Sequence, residues 1–149
     1  AVHACISLSF TAPHASLSEA EVGNILSGFG VSEYLSATAV LKQISAFHEW
    51  LSSRWPGARP HAEIPLQSIL PTGQVLNGRI DLLLETDSGW VLCDHKSSQL
   101  APDHWEQLAR EYSAQMGGYA QGVEQASGRK VIETWLFLPV AGGAFCIER

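Results

Sequence analysis

Gly78-Arg79-Ile80-Asp81-Leu82-Leu83-Leu84-Glu85-Thr86-Asp87-Ser88-Gly89-Trp90-Val91-Leu92-Cys93-Asp94-His95-Lys96 reads as two strands joined by a turn. Both arms are rich in Val, Leu and Ile, and Asp87-Ser88-Gly89 supplies the turn chemistry. Side chains alternate across a strand. Asp81 is therefore expected on one face with Leu83 and Glu85, with Ile80, Leu82 and Leu84 opposite. Asp94 and Lys96 share a face, and His95 is expected to point away from them. Folding about the turn carries Asp81 and Asp94 to the same end of the sheet.

That arrangement is energetically odd. Each aspartate sits in an apolar run, and two carboxylates so placed repel unless a cation or a basic side chain compensates them. Paired carboxylates hold a hard divalent cation. A lysine on the face of the second carboxylate can orient an attacking water or offset a developing negative charge. The combination suits metal-assisted cleavage of a phosphodiester, and the plain alternative is a surface hairpin with scattered charges.

Outward from the hairpin, the pattern predicts helices and strands in the order α-α-α-β-β-β-α-β-β. A helical stub covers residues 1–10. A second helix is capped by Ser16 or Ser18, carries acids in its first turn and ends near Gly28 or Gly30. A third covers 36–55, with Val40, Leu41, Ile44, Phe47, His48 and Leu51 on one stripe, and is stopped by Pro56-Gly57. Strands are expected at 61–68, 74–86 and 89–97. Pro102 opens a long helix to about Ala126, with Trp105, Leu108, Ala109, Tyr112, Met116, Tyr119, Ala120 and Val123 at helical spacing. Gly128 ends it, and two last strands cover 131–138 and 143–148. The fold class is α/β (α+β-like), a mixed β-sheet flanked by helices. His14, His48, His61 and His104 have no partner pattern and read as surface residues.

Composition fits one domain over residues 1–149, of which 46% are hydrophobic and 16% charged. A chain of this length buries a core without staples. The net charge of −6 argues against a DNA-coating surface, which would be basic. It leaves a metal site open, because bound cations reverse the local sign. Cys5, Cys93 and Cys146 are far apart, with no Cys-x-x-Cys pair, so neither disulfides nor a metal knot is expected and a reducing cytoplasm fits. No apolar run approaches the length of a membrane span. The absence of an initiator Met and the start inside a helical stub suggest a domain cut from a larger protein.

Gly-Arg-Ile-Asp, then Asp-x-Lys, then Gln115-Met116-Gly117-Gly118-Tyr119-Ala120 resemble the motifs of the PD-(D/E)xK nucleases, in particular the RecB/AddA-type exonuclease domain found C-terminal to UvrD/Rep-like helicases. The resemblance runs from His3, in Ala1-Val2-His3-Ala4-Cys5, to about residue 125. It implies a restriction-endonuclease-like sheet and a bacterial, cytoplasmic, Mg2+- or Mn2+-dependent DNA exonuclease of recombination and repair. DNA and UvrD/Rep-like motor domains would be its partners. His3, Asp81 and Asp94 would be metal ligands, with the carbonyl of His95 as a fourth. Lys96 would act in catalysis with Asp81, Asp94 and Gln115. Gln115 and Tyr119, four apart on one helix face, would buttress the site or touch the DNA backbone. His95 departs from the family, which usually has Tyr or Phe there. Some relatives carry an iron–sulfur cluster on four cysteines; three cannot supply it, so none is expected.

Plainer readings stand beside several of these roles. His3 also fits an exposed terminal histidine, Gln115 an ordinary polar helix position and Tyr119 a core aromatic. Glu63, opening the first strand where relatives often have an acid, would help position the site. Two whole-chain alternatives remain: an inactive relative that guides DNA or docks a partner for a helicase, and a metal-free small-molecule-binding α/β domain. Asp81, Asp94 and Lys96 in register argue against the first. Residues 97–102, without a Gly-rich phosphate loop, argue against the second.

Overall fold

The computed structural model of the chain describes residues 1–11, 17–69, 73, 75–98 and 101–147. Two compact units divide it, Ala1–Gly57 and Ala58–Arg149.

The first unit contains helices α1 (Val2–Thr11), α2 (Glu19–Gly28) and α3 (Ala37–Arg54), packed on one another. Ser18 is the N-cap of α2: Glu21 N–H donates to its hydroxyl, and the Glu21 carboxylate accepts from Ser18 N–H at 2.8 Å. That reciprocal pair satisfies two donors left open by the first helical turn. Ser36 caps α3 by accepting from Ala39 N–H at 3.2 Å, and Val40, Ile44, Phe47 and Leu51 form its buried stripe. His48 is not a bare surface residue. Its Nε2 lies 2.8 Å from the Ser9 hydroxyl and its ring 4.3 Å from Phe10, and burial lowers its pKa.

The second unit is a five-stranded mixed sheet with strands in sequence order: β1 (Arg59–Ile69), β2 (Val75–Glu85), β3 (Trp90–His95), β4 (Val131–Leu138) and β5 (Gly143–Cys146). All neighbours are antiparallel except β3 and β4, which are parallel and joined by α4 (Trp105–Ser127). A parallel pair needs such a crossover. A 3-10 turn at Pro102–His104 leads into α4, and Gly128, with φ 68°, ends it in the left-handed conformation that glycine adopts cheaply. The α/β architecture, element order and turn positions match the expectations. The expected cap Ser16, His14, the strand ends at Gln74 and Glu148, and part of the 97–102 junction lie outside the described residues.

Helix α4 lies on the sheet. Met116, Tyr119, Ala120 and Val123 meet Ile80, Leu83, Leu92, Leu136 and Leu138 in one buried cluster. The Met, Val, Ile and Leu side chains of this cluster each stabilise the unit by roughly 1.5–3 kcal/mol relative to exposure. Ile80 and Leu83 belong to this cluster although they lie three apart on β2. The strict alternation expected across Asp81 therefore breaks, and Ile80 does not stay with Leu82 and Leu84. The register of β1 against β2 runs unshifted through this point, from Ala62–Leu82 to Ile64–Ile80. The break is a local distortion of the pleat, and Glu63, directly across from Asp81, takes φ 56°. A left-handed non-glycine residue costs roughly 1–3 kcal/mol and recurs where a site over-determines the backbone.

Candidate active site

The ladder between β2 and β3 ends at Leu82–Cys93, so Asp81 and Asp94 occupy the next opposed positions. There the strands part. β3 stays with β4, where His95 pairs with Phe137 and Lys96 N–H donates to Phe137 O at 2.9 Å. The Asp81 carboxylate fills the fork: its Oδ2 accepts from His95 N–H at 2.7 Å, taking over the work of a ladder carbonyl.

Asp94 is 4% exposed, and its Oδ2 lies 2.7 Å from Lys96 Nζ. The expected sharing of one face by these two residues is thus realised as an ion pair. The ammonium also stands over the Tyr112 ring, 4.2 Å from its centroid. The His95 ring packs edge-on against Phe137, its partner in the ladder with β4, and its Nδ1 is 4.0 Å from Asp81 Oδ2.

The field at this end is negative. Burial pushes the Cys93 thiol well above its ordinary pKa, and the charges of Asp94 and Asp81 push it further. Such a thiol stays protonated and inert. The two oxygen-bearing side chains in the fork suit a hard dication, which would relieve that field.

Helix α4 brings the third motif to the sheet. Gln115 is exposed, and its Nε2 donates to the Tyr119 hydroxyl at 3.0 Å. The Tyr119 ring is buried and packs on Gly78: a Cβ there would lie 2.5 Å from Tyr119 Cε1. The glycine of Gly-Arg-Ile-Asp is thus a seat for the helix tyrosine. Sequence reasoning gave no physical reason for Gly78 and placed Tyr112 only among apolar helix positions. Its spacing of three from Gln115 and seven from Tyr119, one helix face, was the available signal. Glu63 has Arg79 Nη1 at 3.4 Å from its Oε2. His3 lies on α1 in the first unit.

The profile of the PD-(D/E)XK nuclease superfamily matches residues 1–147. The chain belongs to that superfamily. Curated relatives of this member are bacterial. An ATP-dependent helicase/nuclease polypeptide of Desulforudis audaxviator is 31% identical over 106 residues, 66% of this chain and 8% of the relative. The protein of the same name from Oceanobacillus iheyensis is 28% identical over 109 residues, 61% of this chain and 9% of its own. That of Pelotomaculum thermopropionicum is 38% identical over 64 residues, 43% of this chain and 5% of its own. The chain thus spans less than a tenth of the length of these relatives. Its restriction-endonuclease-like sheet brings Asp81, Asp94 and Lys96 to one end. Among the described residues, no helix is long and apolar enough to cross a membrane.

Proposed function

We propose that this chain is the nuclease domain of a helicase–nuclease and hydrolyses phosphodiester bonds of DNA from an end, with Mg2+ or Mn2+ at the fork between β2 and β3. The observation that carries the reading is the buried Asp94, held 2.7 Å from Lys96 and placed across the parted ladder from Asp81. Carboxylates of this kind are costly to bury unless they have a task or a counter-charge. A bound dication supplies Lewis acidity and a more acidic water.

The chain's own groups divide the remaining work. Asp81 and Asp94 hold the ion, with the carbonyl of His95 beside them, and His95 N–H fixes the Asp81 carboxylate in place. Lys96 orients the attacking water or offsets the charge that grows on the phosphate. Gln115, exposed on α4, meets the DNA backbone, and Tyr119 props it. His3 enters the ligand set on the resemblance alone; His3→Ala should weaken Mn2+ binding. A motor that feeds the strand explains how an acidic chain works on DNA, and the helicase names of the relatives support such a partner. A bacterial cytoplasm and a role in recombination and repair follow from the same reading.

The test is calorimetric titration of Mn2+ into the chain, with Asp94→Ala in parallel, followed by incubation with end-labelled DNA. Binding that vanishes in the variant, with metal-dependent release of nucleotides, is the expected result. Absence of binding in both supports the alternative of an inactive domain that guides DNA or docks a partner.

A further inference from the structure

Tyr112 has no role in the chemistry above, yet it touches the residue on which that chemistry turns. Lys96 Nζ lies 4.2 Å from the centroid of its ring and 2.7 Å from Asp94 Oδ2. The two supports differ in kind. Asp94 is an anion, and a dication in the fork competes with the ammonium for its charge. The ring is neutral, and its negative π-face attracts an ammonium whether or not a dication is bound. It is also fixed, because Tyr112 packs against the core cluster one turn before Met116. A lysine stem is flexible, and its charge needs a second anchor to stay aimed.

We propose that Tyr112 is a positioning residue for Lys96. Its π-face keeps the ammonium directed at the fork once Asp94 turns to the ion. It therefore governs the rate of the chemical step and leaves DNA affinity unchanged. The proposal rests on the role given to Lys96 above and names the group that makes that role possible.

Size and shape at position 112 must be held constant while the ring's charge distribution changes. Tyr112→Phe, followed by mono-, di- and trifluorophenylalanine at the same position, does this, because each fluorine weakens the π-face without removing packing. Tyr112→Phe should cut DNA at close to the wild-type rate. Across the fluorinated series kcat should fall stepwise, by about two- to fivefold in all, with KM for DNA constant. In parallel, 13C relaxation of the Lys96 ε-methylene should report a rigid group, shifted upfield by the ring, that loosens in the same order. Lys42 and Lys130 supply internal controls. A flat kcat across the series, or a change confined to KM, overturns the proposal. Should the wild type cut no DNA, the nuclease reading fails and the methylene alone decides. Loosening with fluorination upholds the contact, and a methylene that is mobile from the start or indifferent to fluorine overturns it.

Discussion

The two ends of the β2–β3 hairpin treat acids in opposite ways. At the turn end, Glu85 is surrounded by bases: Arg59 at 2.9 Å, Arg129 at 3.3 Å and His61 at 3.4 Å. Burial works against its charge, but the hydrogen bond from His61 and the positive charges of Arg59 and Arg129 prevail and hold the carboxyl below its ordinary pKa. Arg129 also clasps the turn by donating to the carbonyls of Thr86 and Asp87. At the fork end, Asp81 and Asp94 are set across from each other, and their charges raise the thiol between them in sequence, Cys93. One end is an ion cluster that closes a hairpin. The other sets two acids against one ammonium, Lys96, in an apolar setting and so keeps a net negative charge.

The sharpest way to break this contrast is to neutralise each end. Asp94→Asn and Asp81→Asn should each lower DNA cleavage by about a thousandfold or more, with the fold intact by circular dichroism. Asparagine is preferred to alanine at 81 because it keeps an oxygen for His95 N–H. Cleavage within tenfold of wild type in either variant would place the ion elsewhere. Lys96→Ala should reduce turnover by roughly 10²–10³-fold, while Mn2+ binding measured by calorimetry stays equal or tightens, since a competitor for Asp94 is gone.

Beyond the fork on β2, Gly78→Ala should destabilise the chain by about 1–3 kcal/mol in urea unfolding, because the added methyl meets Tyr119. A double-mutant cycle with Tyr119→Leu should recover much of that loss, and strict additivity would deny the contact. The smallest effect belongs to Glu85→Gln, which should leave cleavage unchanged. Its stability deficit is a matter of pH. A carboxyl with a lowered folded pKa contributes stability that is present above the unfolded pKa and lost as pH falls through the folded one. Wild type and Glu85→Gln should therefore differ at neutral pH and converge in acid melts. A difference that persisted in acid would mean that Glu85 acts by packing.

Much of the fold was legible because local signals agreed. Ser18, one of two expected caps, marked the start of α2, Asp87-Ser88-Gly89 the turn, and the spacing from Trp105 to Val123 the long helix. The pair Asp94 and Lys96 was legible from alternation, since β3 remains in its ladder with β4. Alternation failed at Ile80, because the pleat is distorted where β2 leaves β3 and a period of two cannot describe a fork. Glu63 gave no sign of its left-handed backbone. Tyr112 and Gly78 were invisible as partners because their contacts depend on how α4 docks, a long-range registration that local periodicity does not carry.

The fork, the ion pair and the α4 face come from consecutive elements, so Gly78 to Tyr119 holds the reactive groups of the second unit in one uninterrupted run. A short turn closes its first part and a single crossover its second, and closure entropy grows only slowly with the length of such loops. Contacts this near in sequence form early when a chain folds. The groups of the proposed site in this unit are thus close in sequence, and little closure entropy opposes bringing them together.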